Sequence, residues 1–305
     1  MNRSVYTFAS FSRGESLGFR FGGPGLGNLL FPWARSVAFA NRHGLPRINS
    51  TWKTVKIGPM LRGEFDKRTY NDLFQEHETE GLRKFFLLNF AERVSEQEAH
   101  KALENTGKRP AVIWFEGMEG LFEPILDDFE VVKKELHKMV TDTHKKAADS
   151  FQADGISVHI RMGDFQEAPS EEVLRSGAWN YRLPQKWYKT TIEKIREAAA
   201  KELPVYIFSD GKDEELTELL SLPNTRRVFF GSAIADMLAL SKSPLLIASA
   251  STFSMWASYL GRMPVIWYPT LHRQKLYPAD EAFEGELDYE DSVNEVLRNN
   301  IRQIV

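Results

Sequence analysis

Ser157-Val158-His159-Ile160-Arg161-Met162-Gly163-Asp164-Phe165 reads as an apolar strand that ends in charge. Alternation with period two puts His159 and Arg161 on one face of that strand. A guanidinium at the end of an interior strand is costly unless it meets an anion, either a protein carboxylate or a ligand phosphate. An Arg161–Asp164 pair that merely caps the strand is the plain alternative, because structural ion pairs also collect at strand ends.

Working outward, the pattern downstream is regular. Strands predicted at 205–208, 228–230, 245–248 and 264–267 alternate with helices near 185–201, 213–220, 233–241 and 252–260. Such alternation implies a parallel, doubly wound α/β sheet whose ligand site lies at the carboxyl ends of the strands. Upstream, a strand at 17–21, a glycine-rich turn and a helix at 29–42 come first, with Leu30, Trp33, Ala34, Val37 and Ala38 on one helical face. Strands are predicted at 84–90 and 111–115, with Ser95 and Glu98 as a capping box for a short helix between them. Residues 51–79, broken by Gly58-Pro59 and Gly63, read as a long loop or an acceptor-side insertion, and 127–150 as one long helix.

With 305 residues, two α/β domains are the natural division: 1–150, 151–287, and a final helical segment, 288–305, expected to pack back on the first domain. The chain is 42% hydrophobic and 27% charged with a formal charge of −3, which supplies a core but no global basic field, so nucleic acid is not an expected partner. The absence of cysteine excludes disulfides, thiolate metal sites and cysteine nucleophiles. Residues 1–13 are polar and lack an apolar core with a cleavage site, and no stretch approaches the roughly 18 apolar residues of a membrane helix. The expectation is a cytoplasmic protein without a membrane span, with peripheral docking at a membrane left open.

Two further segments carry chemistry. Asp236 stands in a predicted helix, followed by a strand and then Ser251-Thr252-Phe253-Ser254-Met255-Trp256 opening another helix. Unpaired amides and the dipole at such a helix start favour an anion, although Ser251 or Thr252 could simply cap it. Gly22-Gly23-Pro24-Gly25-Leu26-Gly27-Asn28 lies between strand and helix and either cradles a phosphate or makes a tight turn capped by Asn28. It lacks both the acid about 20 residues on that a dinucleotide fold needs and the Gly-Lys-Ser/Thr of a Walker loop.

Taken together, Gly25-Leu26-Gly27-Asn28, His159-Ile160-Arg161-Met162-Gly163-Asp164, Asp236 and Ser251-Thr252-Phe253-Ser254-Met255-Trp256 resemble the α-1,2-fucosyltransferase family, glycosyltransferase family eleven, within the α-1,2, α-1,6 and protein-O-fucosyltransferase superfamily. The resemblance implies a GT-B fold of two Rossmann-like domains facing a cleft, with GDP-fucose as donor substrate, no other cofactor, and a glycan acceptor. It assigns Arg161 to the donor β-phosphate, Asp236 to the guanine edge, and Ser251, Thr252 and Phe253 to the phosphate and nucleoside pocket. His159 joins that substrate-binding set and Asn28 faces it from the first domain, while Ser209-Asp210 is similar to a supporting Ser/Thr-Asp pair. The family usually has arginine, asparagine, tyrosine and tryptophan where Met162, Ala250, Phe165 and Met255 stand.

The implied reaction is inverting transfer, in which an acceptor hydroxyl displaces the diphosphate and charge grows on the leaving group. Arg161 and the helix start would stabilise that charge without a metal. Asp164 is the first candidate base, with Glu116 or Glu119 as alternatives, although a carboxylate held by Arg161 makes a poor base. Asp127-Asp128 reads as a helix start rather than a metal motif. A transferase for another GDP-sugar, or a non-catalytic nucleotide-sugar or glycan-binding protein on the same fold, are the alternatives.

Overall fold

A computed structural model describes residues 4–12, 15, 20–21, 23–55, 70–104 and 109–304. It divides into two units, one comprising residues 1–63 and 67–142, the other residues 64–66 and 143–305.

The first unit contains β1 (Val5–Ala9), β2 (Arg20–Phe21), α1 (Leu26–His43), β3 (Arg47–Ile48), β4 (Thr54–Val55), α2 (Gly81–Phe90), β5 (Glu92–Ser95), α3 (Ala99–Glu104), β6 (Ala111–Phe115) and α4 (Phe129–Met139). Its main sheet is parallel, in the order β3-β1-β6-β5. Both faces are buried, as the pleat demands of a covered parallel sheet. Val5, Ala111, Ile113 and Phe115 join Ala99 and Ala102 of α3 on one face, while Tyr6, Phe8 and Val112 meet Leu87 of α2 on the other. Helix α1 ends at Gly44, whose φ of 62° suits a residue without Cβ.

The second unit contains α5 (Asp142–Asp149), β7 (Ile156–Ile160), β8 (Gln166–Glu167), α6 (Glu171–Arg175), β9 (Tyr181–Arg182), α7 (Gln185–Ala199), β10 (Val205–Ser209), α8 (Thr217–Leu220), β11 (Thr225–Arg227), α9 (Ala233–Leu240), β12 (Leu245–Ile247), α10 (Thr252–Gly261), β13 (Val265–Trp267), β14 (Glu284–Glu286) and α11 (Glu295–Arg302). Six parallel strands run in the order β11-β10-β7-β12-β13-β14, so β7 is central. Ile156, Val158 and Ile160 enter one core with Trp187, Ile192, Ile207 and Leu245. The opposite face of β7 is polar and buried, and it is satisfied locally: Ser243 Oγ donates to Ser157 Oγ at 2.6 Å.

Several expectations change. Residues 84–90 form part of a helix, not a strand. Lys84, Leu87, Leu88 and Ala91 fall at helical spacing, with Leu87 buried against the sheet and Leu88 and Ala91 packed beside it, while Lys84 Nζ donates to Thr51 Oγ1 at 2.9 Å. The unbroken apolar run hid that period, because Leu82, Phe86 and Phe90 on the outer side are 78%, 56% and 68% exposed. The strand expected at 228–230 lies at Thr225–Arg227. Val228 still donates to the Ile207 carbonyl, and then the chain turns so that the Phe230 amide meets Asp236 instead. The helix expected over 127–150 is two, interrupted where Thr141 donates to the Leu73 carbonyl at 3.0 Å. At the expected capping box Ser95 Oγ reaches Glu98 Oε2 at 3.4 Å, but no side chain caps the backbone.

The final helix places Leu297 and Ile301 in the core of the second unit. Strand β1 was not anticipated. Of the strand expected at 17–21, residues 17–19 lie outside the described residues, as do residues 56–69 of the expected loop.

Candidate functional site

Three parallel strands bring the chemistry to one edge. β7 lies between β10 and β12, so the segments that follow them, 161–164, 209–213 and 249–254, are neighbours at the carboxyl ends. Arg161 leaves β7 with its guanidinium held by two carboxylates: NH1 pairs with Asp210 and NH2 with Asp164. Asp210 Oδ1 also accepts the amides of Met162 at 2.8 Å and Gly163 at 3.2 Å, so one acid fixes both the turn and the side chain. The Phe165 ring lies 5.4 Å from the guanidinium carbon. Gly211 lets this turn close on the next strand, since a Cβ there would sit 2.7 Å from Met162 Cγ.

On the other side of β7, His159 is buried, and its Nδ1 lies 2.7 Å from Ser254 Oγ and 3.0 Å from Ser249 Oγ. Ser249 Oγ in turn meets Ser251 Oγ at 3.0 Å. Ser251 is the N-cap of α10, its hydroxyl accepting the Ser254 amide at 3.2 Å. Phe253 stacks on the imidazole at 4.8 Å between centroids. Burial, aided by the charge of Arg161, pushes the His159 pKa down to about 3, against the pull of Asp210. His159 is therefore a neutral bracket between β7 and the start of α10. The cap reading and the anion reading of Ser251 are compatible, because the cap uses its hydroxyl and orients the first turn.

Asp236 sits half-buried in the first turn of α9, where its Oδ1 accepts the Phe230 amide at 2.7 Å. Ser232 caps that helix and lies 2.9 Å from His144 Nδ1. Arg161, Asp164, His159, Asp236, Ser251, Thr252 and Phe253 thus all belong to the second unit. Asn28 belongs to the first, at the third position of α1; Gly25 takes the N-cap position, so Asn28 is not the cap.

The other acids are otherwise engaged. Glu116 pairs with Arg93 at 2.8 Å, Glu119 accepts from Gln97 at 3.3 Å, and Asp128 lies 3.5 Å from Arg42. A small cavity of about 280 Å³ elsewhere in the second unit is lined by Glu171, Glu172, Arg175, Asp288, Tyr289 and Glu290, a mostly acidic wall unsuited to an anionic donor. Among the described residues no group of three metal-ligating side chains occurs, and no helix is long and apolar enough to cross a membrane.

Sequence reading gave Asp210 only a supporting role. The signal was present, an acid directly after a strand in a parallel sheet, but only the register of β10 against β7 shows which arginine it meets. Glu15 was not singled out at all. It is buried after β1, accepts the amides of Phe11 and Ser12, and burial raises its pKa to about 7.

Each unit is built on a parallel α/β sheet, and the second gathers a guanidinium and a serine-capped helix start at adjacent strand ends, an arrangement suited to an anionic ligand. Residues 82–275 match the model of glycosyl transferase family 11, and the chain belongs to that family, the fucosyltransferase family its motifs resemble. Among solved structures it is similar to the fucosyltransferase NodZ from Bradyrhizobium, at 13% identity over 88% of this chain and 95% of that one, with a TM-score of 0.47. It is also similar to an Arabidopsis thaliana FUT1 mutant in complex with GDP, at 15% identity over 88% and 71% with a TM-score of 0.46. POFUT1 in complex with GDP matches at 12% identity over 88% and 98% with a TM-score of 0.48. No curated protein matches the chain.

Proposed function

We propose that this enzyme transfers fucose from GDP-fucose to a glycan hydroxyl with inversion, as an α-1,2-fucosyltransferase-like member of its family. The observation that carries the reading is Arg161, held at the carboxyl end of the central strand beside the start of α10. A fork oriented before the donor arrives and a helix N-terminus at the next strand both stabilise charge where it grows, on the leaving diphosphate. Thr252 and Phe253 are the half-buried residues of that first turn and line the nucleotide, with His159 fixing their position. Asp236 accepts hydrogen bonds from the guanine N1–H and N2–H groups. Asn28 contributes from the first unit. The acceptor hydroxyl attacks the anomeric carbon, the bond to the diphosphate oxygen breaks, and Asp164 takes the hydroxyl proton. The chemistry asks for no resident metal.

The experiment offers the purified protein GDP-fucose and GDP-mannose in parallel, with and without a β-galactoside acceptor, and measures released GDP. Acceptor-stimulated release from GDP-fucose alone is expected. Faster release from GDP-mannose would move the donor assignment, and saturable binding without any GDP release would make the protein a binder.

A further inference from the structure

Arg227 ends β11, an edge strand of the second sheet, with β10 between it and the central β7. In the parallel register it stands level with Ile207, two residues before the end of β10. Two strand residues span about 7 Å, within reach of an extended arginine side chain, and the guanidinium meets the turn that follows β10. There one nitrogen, NH2, donates to the Ser209 carbonyl at 3.0 Å and to the Gly211 carbonyl at 2.7 Å, the carbonyls of the residues on either side of Asp210. NH1 pairs with Asp213.

Asp210 is the residue through which this turn meets β7, since its carboxylate accepts the Met162 and Gly163 amides and pairs with Arg161. Pinning the two flanking carbonyls to one nitrogen fixes the path of the chain through Asp210, and with it the direction of that side chain. The turn also has a bond of its own, from the Gly211 amide to Ser209 Oγ at 3.0 Å, so what Arg227 adds is the tie to the neighbouring strand. Arginine suits the task because one of its nitrogens carries two N–H groups for two carbonyls while the next serves a carboxylate. The Asp213 side chain is 68% exposed, which makes that contact a surface pair of small worth and leaves the carbonyl bonds as the substance of the brace. We propose that Arg227 is a positioning residue for diphosphate binding: acting through Asp210, it fixes where the Arg161 guanidinium stands when the donor arrives. This rests on the reading of Arg161 as the diphosphate ligand, and it extends the apparatus of that site to a strand two places from the central one.

The test is competition by GDP and by guanosine against a fluorescent GDP, with the ratio of guanosine Kd to GDP Kd as the quantity read. That ratio isolates the diphosphate and cancels general damage to the base pocket or to stability. In Arg227→Met and in the shorter Arg227→Gln it should fall about two- to tenfold, the factor that goes with having to order one flexible side chain on binding. A ratio within twofold of that of the unmodified protein in either variant, whatever happens to the melting temperature, overturns the positioning role. Arg226→Ala removes the same charge from the same strand and should leave the ratio within twofold; an equal fall there would make the effect one of charge alone and overturn the proposal. In an Asp210→Asn background, Arg227→Met should change the ratio less than twofold further, because its route is already cut, and losses that multiply would overturn action through Asp210. Arg161→Ala separates this inference from the reading beneath it. If its ratio falls and that of the Arg227 variants does not, only the positioning role fails; if its ratio is unchanged, the diphosphate role of Arg161 fails and the positioning role with it.

Discussion

Asp210→Ala is the most informative perturbation of this site, because Asp210 joins backbone and side chain. The substitution leaves the Met162 and Gly163 amides without this acceptor and removes one carboxylate from Arg161. Met162 is 6% exposed, so its amide alone is worth on the order of 1–3 kcal/mol when stranded. The full 3–5 kcal/mol of a broken buried ion pair does not apply, since Arg161 keeps Asp164 and both side chains are about a fifth exposed. The expected total is about 2–4 kcal/mol, below the stability of most domains, so the protein still folds. Asp210→Asn separates the two functions of the residue. Its amide oxygen still accepts the backbone N–H groups and should recover most of the stability, but its NH2 group faces the guanidinium and cannot hold it. Turnover should therefore fall about a hundredfold in both variants, the usual cost of a misplaced catalytic group. Urea unfolding followed by tryptophan fluorescence gives the first quantity and GDP release the second. If Asp210→Ala unfolds within about 0.5 kcal/mol of the unmodified protein, the range of a neutral surface change, or if Asp210→Asn turns over normally, the anchor does not exist.

Three other outcomes follow from the same geometry. Arg161→Lys should fold normally yet lose about a hundred- to a thousandfold in turnover, because an ammonium cannot reproduce the fork; near-normal GDP release would end the assignment. His159 is neutral in the fold and its pKa lies below that of the unfolded chain. Its contribution is therefore intact above about pH 6.5 and declines as pH falls towards 3, by about 1.4 kcal/mol per unit at most. Melting temperatures from pH 7.5 to 4.5 should show a shallower decline in His159→Gln, and parallel declines would remove the bracket. Glu15 has the opposite sign: its raised pKa makes its contribution full below about pH 4.5 and lost as pH rises through about 7, so Glu15→Gln should gain stability relative to the unmodified protein at pH 8 but not at pH 4. Equal shifts at both pH values would contradict that reading.

The second unit was legible because its signals are local. Ile156, Val158 and Ile160 alternate with Ser157 and His159, and each later strand is separated from the next by a helix-length segment, so parallel topology follows from pattern alone. One of the two inner strands of the first sheet, Val5–Ala9, escaped notice because it holds Thr7 and sits in a polar N-terminal stretch; its burial on both faces comes from distant elements. Helix α2 was misread because seven residues rich in Phe and Leu satisfy either period, and its outward apolar side removes the polar stripe that would have marked a helix. At the site, residue types were legible but pairings were not. Arg161 and Asp164 are three apart and visible as a pair, whereas Asp210 reaches Arg161 across the register of two strands.

If Arg161 is the diphosphate ligand, as proposed, charge balance around it bears on binding. Met162 is buried against Gly211, so the position at which the family usually carries a second arginine serves packing in this chain. On the proposed reading the diphosphate then draws on Arg161 and on the start of α10, which acts as roughly half a positive charge. Two carboxylates beside one arginine look unfavourable for an anion site, yet they order the guanidinium before the ligand arrives. Fixing a long flexible side chain costs about 0.5–1.5 kcal/mol on binding, and an arginine already held in place does not incur that cost. Asp210, bound to two amides and with its neighbouring carbonyls braced by Arg227, is itself fixed, so the guanidinium is preorganised by an acid that the turn holds in place.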